Sequence, residues 1–187
     1  MKTVTYSVSE FDRAQLEDIF NTELEKAISD FNSNPGRYGS KTVGDLLPTW
    51  IGNAASLAMF NILRNDGLAA VEVHKDQYAT FSDVVGYMFD PEVNDNLDPK
   101  DLKREERNYR ALVNRRGIWW VQLVADGNEL DSIGGFVGDD FWGSGYDVDF
   151  ANEALDFLVA DHSEYIEHLR SAMDRIEKRW RLYNDTK

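Results

Sequence analysis

Apolar residues at Leu16, Phe20, Leu24, Ala27, Ile28 and Phe31 recur every three or four positions, which predicts an amphipathic helix over 9–33. Ser9 with Asp12 makes a weak capping box at its start, and the turn-forming segment NSNPGRYGS ends it. Thr42 and Asp45 are spaced to cap a second helix that runs to about Arg64. Leu47, Trp50, Ile51, Ala54, Leu57, Ala58 and Ile62 clothe most of its circumference, so this helix should be central. Pro48 lies near its first turn, where a missing N–H costs little, and Asn65-Asp66-Gly67 supplies a stop. A short strand over 68–73 and a short helix over 81–88 are expected next.

The pattern then turns polar. DPEVNDNLDP (90–99) reads as a loop, and a strongly charged helix runs from Pro99 to Arg116. Residues 118–125 and 129–137 are rich in β-branched and aromatic side chains and are joined by Asp126-Gly127, the sequence of a β-hairpin. Gly134 and Gly135 mark a bulge or a close backbone approach in its second arm. A glycine-rich acidic loop (138–147) leads to a helix over 148–160, and a last helix begins after Asp161 or Ser163 and ends near Tyr183. There Ile166, Leu169, Met173, Ile176, Trp180 and Tyr183 alternate spacings of three and four, a short coiled-coil seam that serves internal packing or a homodimer. The expected architecture is α+β, a mostly helical single domain with a small antiparallel sheet. Its parts are a helical N-terminal portion (1–88), the charged helix with the hairpin (99–137) and C-terminal helices (148–183).

Composition narrows the classes. The 187 residues are 42% hydrophobic, enough for a real core, and carry a net charge of −14. That charge disfavours direct binding to nucleic acid or to an anionic membrane by the molecule as a whole. Cysteine is absent, which removes disulfides, thiolate nucleophiles and cysteine-based zinc sites. The first residues lack the apolar core of a signal peptide and no apolar run approaches the roughly 20 residues of a membrane span, so the cytoplasm of a bacterial host is the expected location.

Catalytic signatures are missing. His74, His162 and His168 form no HExxH, and Glu164 with His168 reads as a surface pair. GSG at 143–145 is not a nucleophile elbow, and no phosphate-binding glycine motif is present. Asp90, Glu92, Asn94, Asn96, Asp98 and Asp101 alternate as in a calcium loop, but Asp95 replaces the required glycine. No cofactor, metal or enzymatic activity is expected.

Charge is segregated instead. Between Arg116 and Arg170 there is no Lys or Arg but there are twelve Asp and Glu. Seven basic residues crowd 100–116, and six more lie in the final 18 residues. Asp149, Glu153 and Asp156, spaced by four and three, form a stripe on one helix face, with Asp139, Asp140 and Asp147 before it. Such a stripe carries about one charge per 5 Å of axis, against one per roughly 1.7 Å in duplex DNA, so a single helix does not imitate DNA. Phe141, Trp142 and Tyr146 are candidate apolar anchors among these acids. The alternative reading uses the 100–116 helix as a nucleic-acid-binding strip, with Trp119 and Trp120 as stacking platforms.

FDPEVNDNLDP, LKREERNYRALVNRRGIWWVQL and DSIGGFVGDDFWGSGY, within 89–146, resemble small proteins of phages and other mobile elements. The resemblance implies a class, the anti-defence inhibitors, which includes anti-restriction and anti-CRISPR proteins, some of them DNA mimics. It assigns no residue a role. It makes the expected partner a host defence nuclease, a Cas effector or a restriction enzyme, without direct nucleic-acid or membrane contact. The placement of acids and aromatics, not the resemblance, nominates Asp139, Asp140, Phe141, Trp142, Tyr146, Asp147, Asp149, Glu153 and Asp156 as the binding surface.

Overall fold

The computed structural model of the protein describes residues 10–84, 89 and 98–185. Its elements are helix α1 (Glu10–Ser33), a 3-10 turn (Pro35–Tyr38), α2 (Val43–Asn65), strand β1 (Ala69–Lys75) and a short α3 (Phe81–Val84). Helix α4 (Pro99–Arg116), strands β2 (Ile118–Ala125) and β3 (Asn128–Val137), and α5 (Tyr146–Asp185) complete them. The sheet has the order β1-β2-β3 and is antiparallel, so the protein is α+β and mostly helical. The chain gathers into two compact units. One holds residues up to Ala70, the turn Ala125–Asn128, and Val148 onward; the other holds Val71–Val124 and Glu129–Asp147.

In the first unit the helix ends are fixed by the residues the sequence nominates. The Thr42 backbone N–H donates to the Asp45 carboxylate (2.8 Å) and the Asp45 N–H donates to Thr42 Oγ1 (3.3 Å), a complete capping box for α2. The Thr42 N–H, and after it the Thr42 hydroxyl donating to the same carboxylate (2.7 Å), hold the Asp45 carboxyl below its usual range. Gly67, at φ 74°, ends the helix: its N–H reaches the Arg64 carbonyl and the Leu68 N–H reaches the Leu63 carbonyl, the two bonds of a Schellman stop. Pro48 lies one turn deeper than the sequence suggests. As the sixth residue of α2 it removes the hydrogen bond that the Gly44 carbonyl would accept, yet the helix continues through it.

Below α1, the Asp30 carboxylate accepts from the Tyr38 hydroxyl, Asn34 Nδ2 (3.0 Å) and Arg37 (3.4 Å). The Tyr38 bond foremost, then Asn34, holds this carboxyl below its usual range. Its contribution to stability is therefore present above the ordinary carboxylate pKa and is lost as pH falls through the lowered value.

The core of this unit is the meeting of three apolar helix faces. Leu16, Phe20 and Leu24 of α1, ten residues of α2 from Trp50 to Leu63, and Phe150, Leu158, Ile166 and Leu169 of α5 are buried. By length and hydropathy α2 would also pass as a membrane span, and half of its apolar window is buried in this unit. Hydrogen bonds tie α5 to its neighbours: Ser56 Oγ to Asn152 (2.7 Å), Arg179 to Glu17 (3.0 Å), and the Tyr165 hydroxyl to the Asp66 carboxylate.

The C-terminal part divides where expected. The 148–160 helix and the last helix follow one another as α5, interrupted by one non-helical residue, His162 (φ −125°, ψ 31°), a kink inside the expected 161–163 break. The seam residues Ile166, Leu169, Met173 and Ile176 are buried within this chain, the internal packing that is one of the two expected uses of the seam, while Tyr183 at its end is exposed. The interior is occupied.

In the second unit, Phe81, Val113, Ile118 and Val137 form a small core, with Tyr109, Leu112 and Phe89 packed on it and Arg110 lying 4.1 Å above the Phe81 ring. Asp98 caps α4 by accepting from the Lys100 N–H (2.7 Å), and Pro99 sits at the first helical position. The capping role of Ser9, the 85–88 end of the expected short helix and residues 90–97 of the calcium-like loop lie outside the described residues.

Phe20→Ala removes a ring with no solvent exposure from the junction of three helices. Denaturation by urea should show a loss of about 3–5 kcal/mol, or failure to fold if the total stability is smaller.

Candidate functional site

The hairpin and its exit loop decide which acids are available. Asp126 (φ 48°) and Gly127 (φ 74°) both occupy the left-handed region, as the tight hairpin turn requires. A strict two-residue turn would set Gly117 opposite Phe136. Instead the Gly138 N–H donates to the Gly117 carbonyl (3.2 Å), so β3 takes up two extra residues. Gly135, at φ 93°, is a place where the backbone can absorb them, and beside it Gly134 lies against Trp120.

This shift brings the end of α4 to the exit loop. A Cβ on Gly138 (φ 70°) would stand 3.0 Å from Cδ of Arg116, so glycine at 138 permits the close approach. Arg116 then reaches both carboxylates that follow, Asp140 at 3.3 Å and Asp139 at 3.5 Å. Two charges expected to face a partner are thus already paired with a cation of the same unit.

The loop beyond is built around Asp147. Its carboxylate, 5% exposed, accepts from the Gly143 N–H (2.8 Å) and the Gly145 N–H (3.1 Å). Ser144 Oγ donates to the Phe141 carbonyl and accepts from the Tyr146 N–H (3.2 Å), which closes the turn. Phe141 is 2% exposed and packs edge-on against Phe136 (5.4 Å) and Trp142 (4.9 Å). Burial leaves Phe141 and Asp147 little surface in this structure: Phe141 is a core residue and Asp147 organises the loop. Trp142 (44% exposed) and Tyr146 (46%) do present apolar surface. Trp142 borders a cleft of about 320 Å³ whose other walls include Trp119, Val73 and Phe136.

The remaining candidates belong to the helical unit. Asp149, Glu153 and Asp156 are exposed on α5, while Phe150, Ala154 and Leu158 on the other face are buried. Asp161, Glu164 and Glu167 are exposed further along. Arg170 approaches Asp156 at 3.5 Å. Of the nine nominated positions, Asp139, Asp140, Phe141, Trp142, Tyr146 and Asp147 are gathered in one unit and the other three lie in a second.

The alternative strip on α4 is also partly spent. Arg104 pairs with Asp101 (2.8 Å), Arg110 with Glu106 (2.8 Å), and Arg116 with the exit loop. Lys100, Lys103, Arg107 and Arg115 form no ion pair among the described residues. Trp120 is not an open platform, whereas Trp119 lines the cleft beside Trp142. Trp120 stacks on His74 with centroids 4.3 Å apart, and Trp119 Nε1 donates to the Arg116 carbonyl (2.8 Å). Among the described residues no group of three His, Asp or Glu could hold a metal ion.

Arg116 and Gly138 are the residues that sequence reasoning missed. The signal available was local: a glycine at the end of the hairpin, immediately before two aspartates, with an arginine closing the helix before the first strand. Comparison with family models, with curated proteins and with solved structures finds no match to this chain.

Asp147→Ala should unlock the exit loop. Amide hydrogen exchange at Gly143 and Gly145 is expected to accelerate, with a stability loss of about 1–3 kcal/mol.

Proposed function

We propose that this protein is a non-enzymatic anti-defence inhibitor of a mobile element that binds a cationic surface on a host nuclease, with a CRISPR effector as the leading candidate. The observation that carries the reading is the exposed run of carboxylates on α5, Asp149, Glu153 and Asp156 followed by Asp161, Glu164 and Glu167, opposite a buried apolar face. From 149 to 167 these acids cover about 27 Å of helix axis, one per roughly 5 Å. That density is well below duplex DNA, so the reading is docking on Arg and Lys side chains of a protein groove, which then excludes nucleic acid. On the hairpin unit Trp142 and Tyr146 are exposed aromatics, and Arg116 offsets part of the charge of Asp139 and Asp140 while leaving Asp139 largely exposed.

A second reading rests on α4. Lys100, Lys103 and Arg107, spaced by three and four, share one helix face and are exposed. They would hold a phosphate backbone, making the protein a nucleic-acid-binding accessory factor. A mobility shift with free DNA that Lys100→Gln with Lys103→Gln abolishes would favour it.

The leading reading is tested by DNA cleavage with purified CRISPR effectors and restriction nucleases. Inhibition of at least one enzyme is expected, weakening as salt is added. Asp149→Lys, Glu153→Lys and Asp156→Lys together should remove it while leaving the fold intact. Cleavage unaffected across the panel, or a triple variant as potent as the parent, defeats the proposal.

A further inference from the structure

One groove of the helical unit reverses the sign of the molecule. Between α1 and the second half of α5 lies an open cavity of about 610 Å³ to which Arg13, Arg175, Lys178 and Arg179 all contribute. Its one acidic wall residue is Glu17, already bonded to Arg179 at 3.0 Å. Asp174 and Glu177 interrupt these cations in the sequence but fall outside the lining.

Helix geometry explains why they converge. Positions 172, 175, 176 and 179 share one face of α5, where Ala172 and Ile176 supply an apolar floor and Arg175 and Arg179 both rise along one side of it. Like charges four residues apart repel and weaken a helix unless a counter-charge sits between them. Arg175 reaches only the Ser171 hydroxyl (3.3 Å) and pairs with no carboxylate among the described residues. A short apolar floor and long cationic side chains beside it make a receptacle for a compact anion with several charges.

We propose that this groove binds a small polyphosphorylated ligand, with its phosphates held by Arg13, Arg175 and Lys178. The volume suits a nucleotide-sized molecule, since small-ligand sites run from about 300 to 1,000 Å³. Guanidinium groups match phosphate oxygens in pairs, and a lysine adds a movable point charge. A long nucleic acid is a poorer occupant. It would extend from the groove into the field of a protein of net charge −14, whose α5 carries exposed acids from Asp149 to Glu167. A compact anion stays within about one Debye length, roughly 8 Å at physiological salt, of the cations that hold it.

Calorimetric titration at physiological salt with tripolyphosphate, with ATP in the absence of magnesium, and with a short DNA duplex tests the proposal. The variant Arg175→Gln with Lys178→Gln keeps the Arg179–Glu17 bond that ties α5 to α1, and its unfolding temperature without ligand checks that it folds. Tripolyphosphate and ATP are expected to bind the parent, and the double variant should lose about tenfold or more in affinity. Absence of binding to the parent, or equal affinity in the folded double variant, overturns the proposal. So does a duplex that binds through these residues when tripolyphosphate does not.

Discussion

The burial of the apolar face of α5 against α1 and α2 is the constraint on which the functional surfaces depend. Phe150, Leu158, Ile166 and Leu169 are buried, and their positions fix the rotation of the helix about its axis. Once that rotation is set, Asp149, Glu153 and Asp156 face outward, and Arg175 and Arg179 border the groove beside α1. Turning the helix by one residue, about 100°, would carry carboxylates into a core where an unpaired charge costs several kcal/mol. Hydrophobic packing therefore chooses which charges the protein shows.

Segregated charge means different things in the two units. On the helical unit the acids line an exposed helix face, with Arg170 approaching Asp156 at 3.5 Å. Around the hairpin the acids serve the fold. Arg116 takes Asp139 and Asp140, and two backbone N–H groups take Asp147. A count of twelve acids without a base in the sequence overstates the negative surface, because a cation just outside the run folds back onto it. Surface pairs of this kind contribute little to stability, but they do lower the local field.

Most of the fold was legible in the sequence because its signals are local. The Thr42/Asp45 box, the Gly67 stop, Pro99 at the start of α4 and Asp126-Gly127 in the hairpin each act within a few residues. The exit loop was less legible. Arg116 meets Asp140 across 24 positions, and that meeting depends on a register shift in β3 and on the absent Cβ of Gly138, neither of which periodicity records. Phe141 and Trp142 are adjacent aromatics in a glycine-rich loop, and only the way the loop folds back over Phe136 buries one and leaves the other exposed. The seam on α5 was legible as apolar, and from Ile166 to Ile176 it packs into this chain's own core, one of the two uses its spacing allows.

Carbodiimide footprinting of carboxylates, read residue by residue by mass spectrometry, tests the division between displayed and consumed acids most directly. Asp149, Glu153, Glu164 and Glu167 are predicted to label readily in the native protein, Asp147 to stay protected, and Asp139 and Asp140 to label faster once Arg116 is changed to Gln. Ready labelling of Asp147 together with protection of Asp149 and Glu153 would contradict the account, because it would place the opposite face of α5 toward solvent.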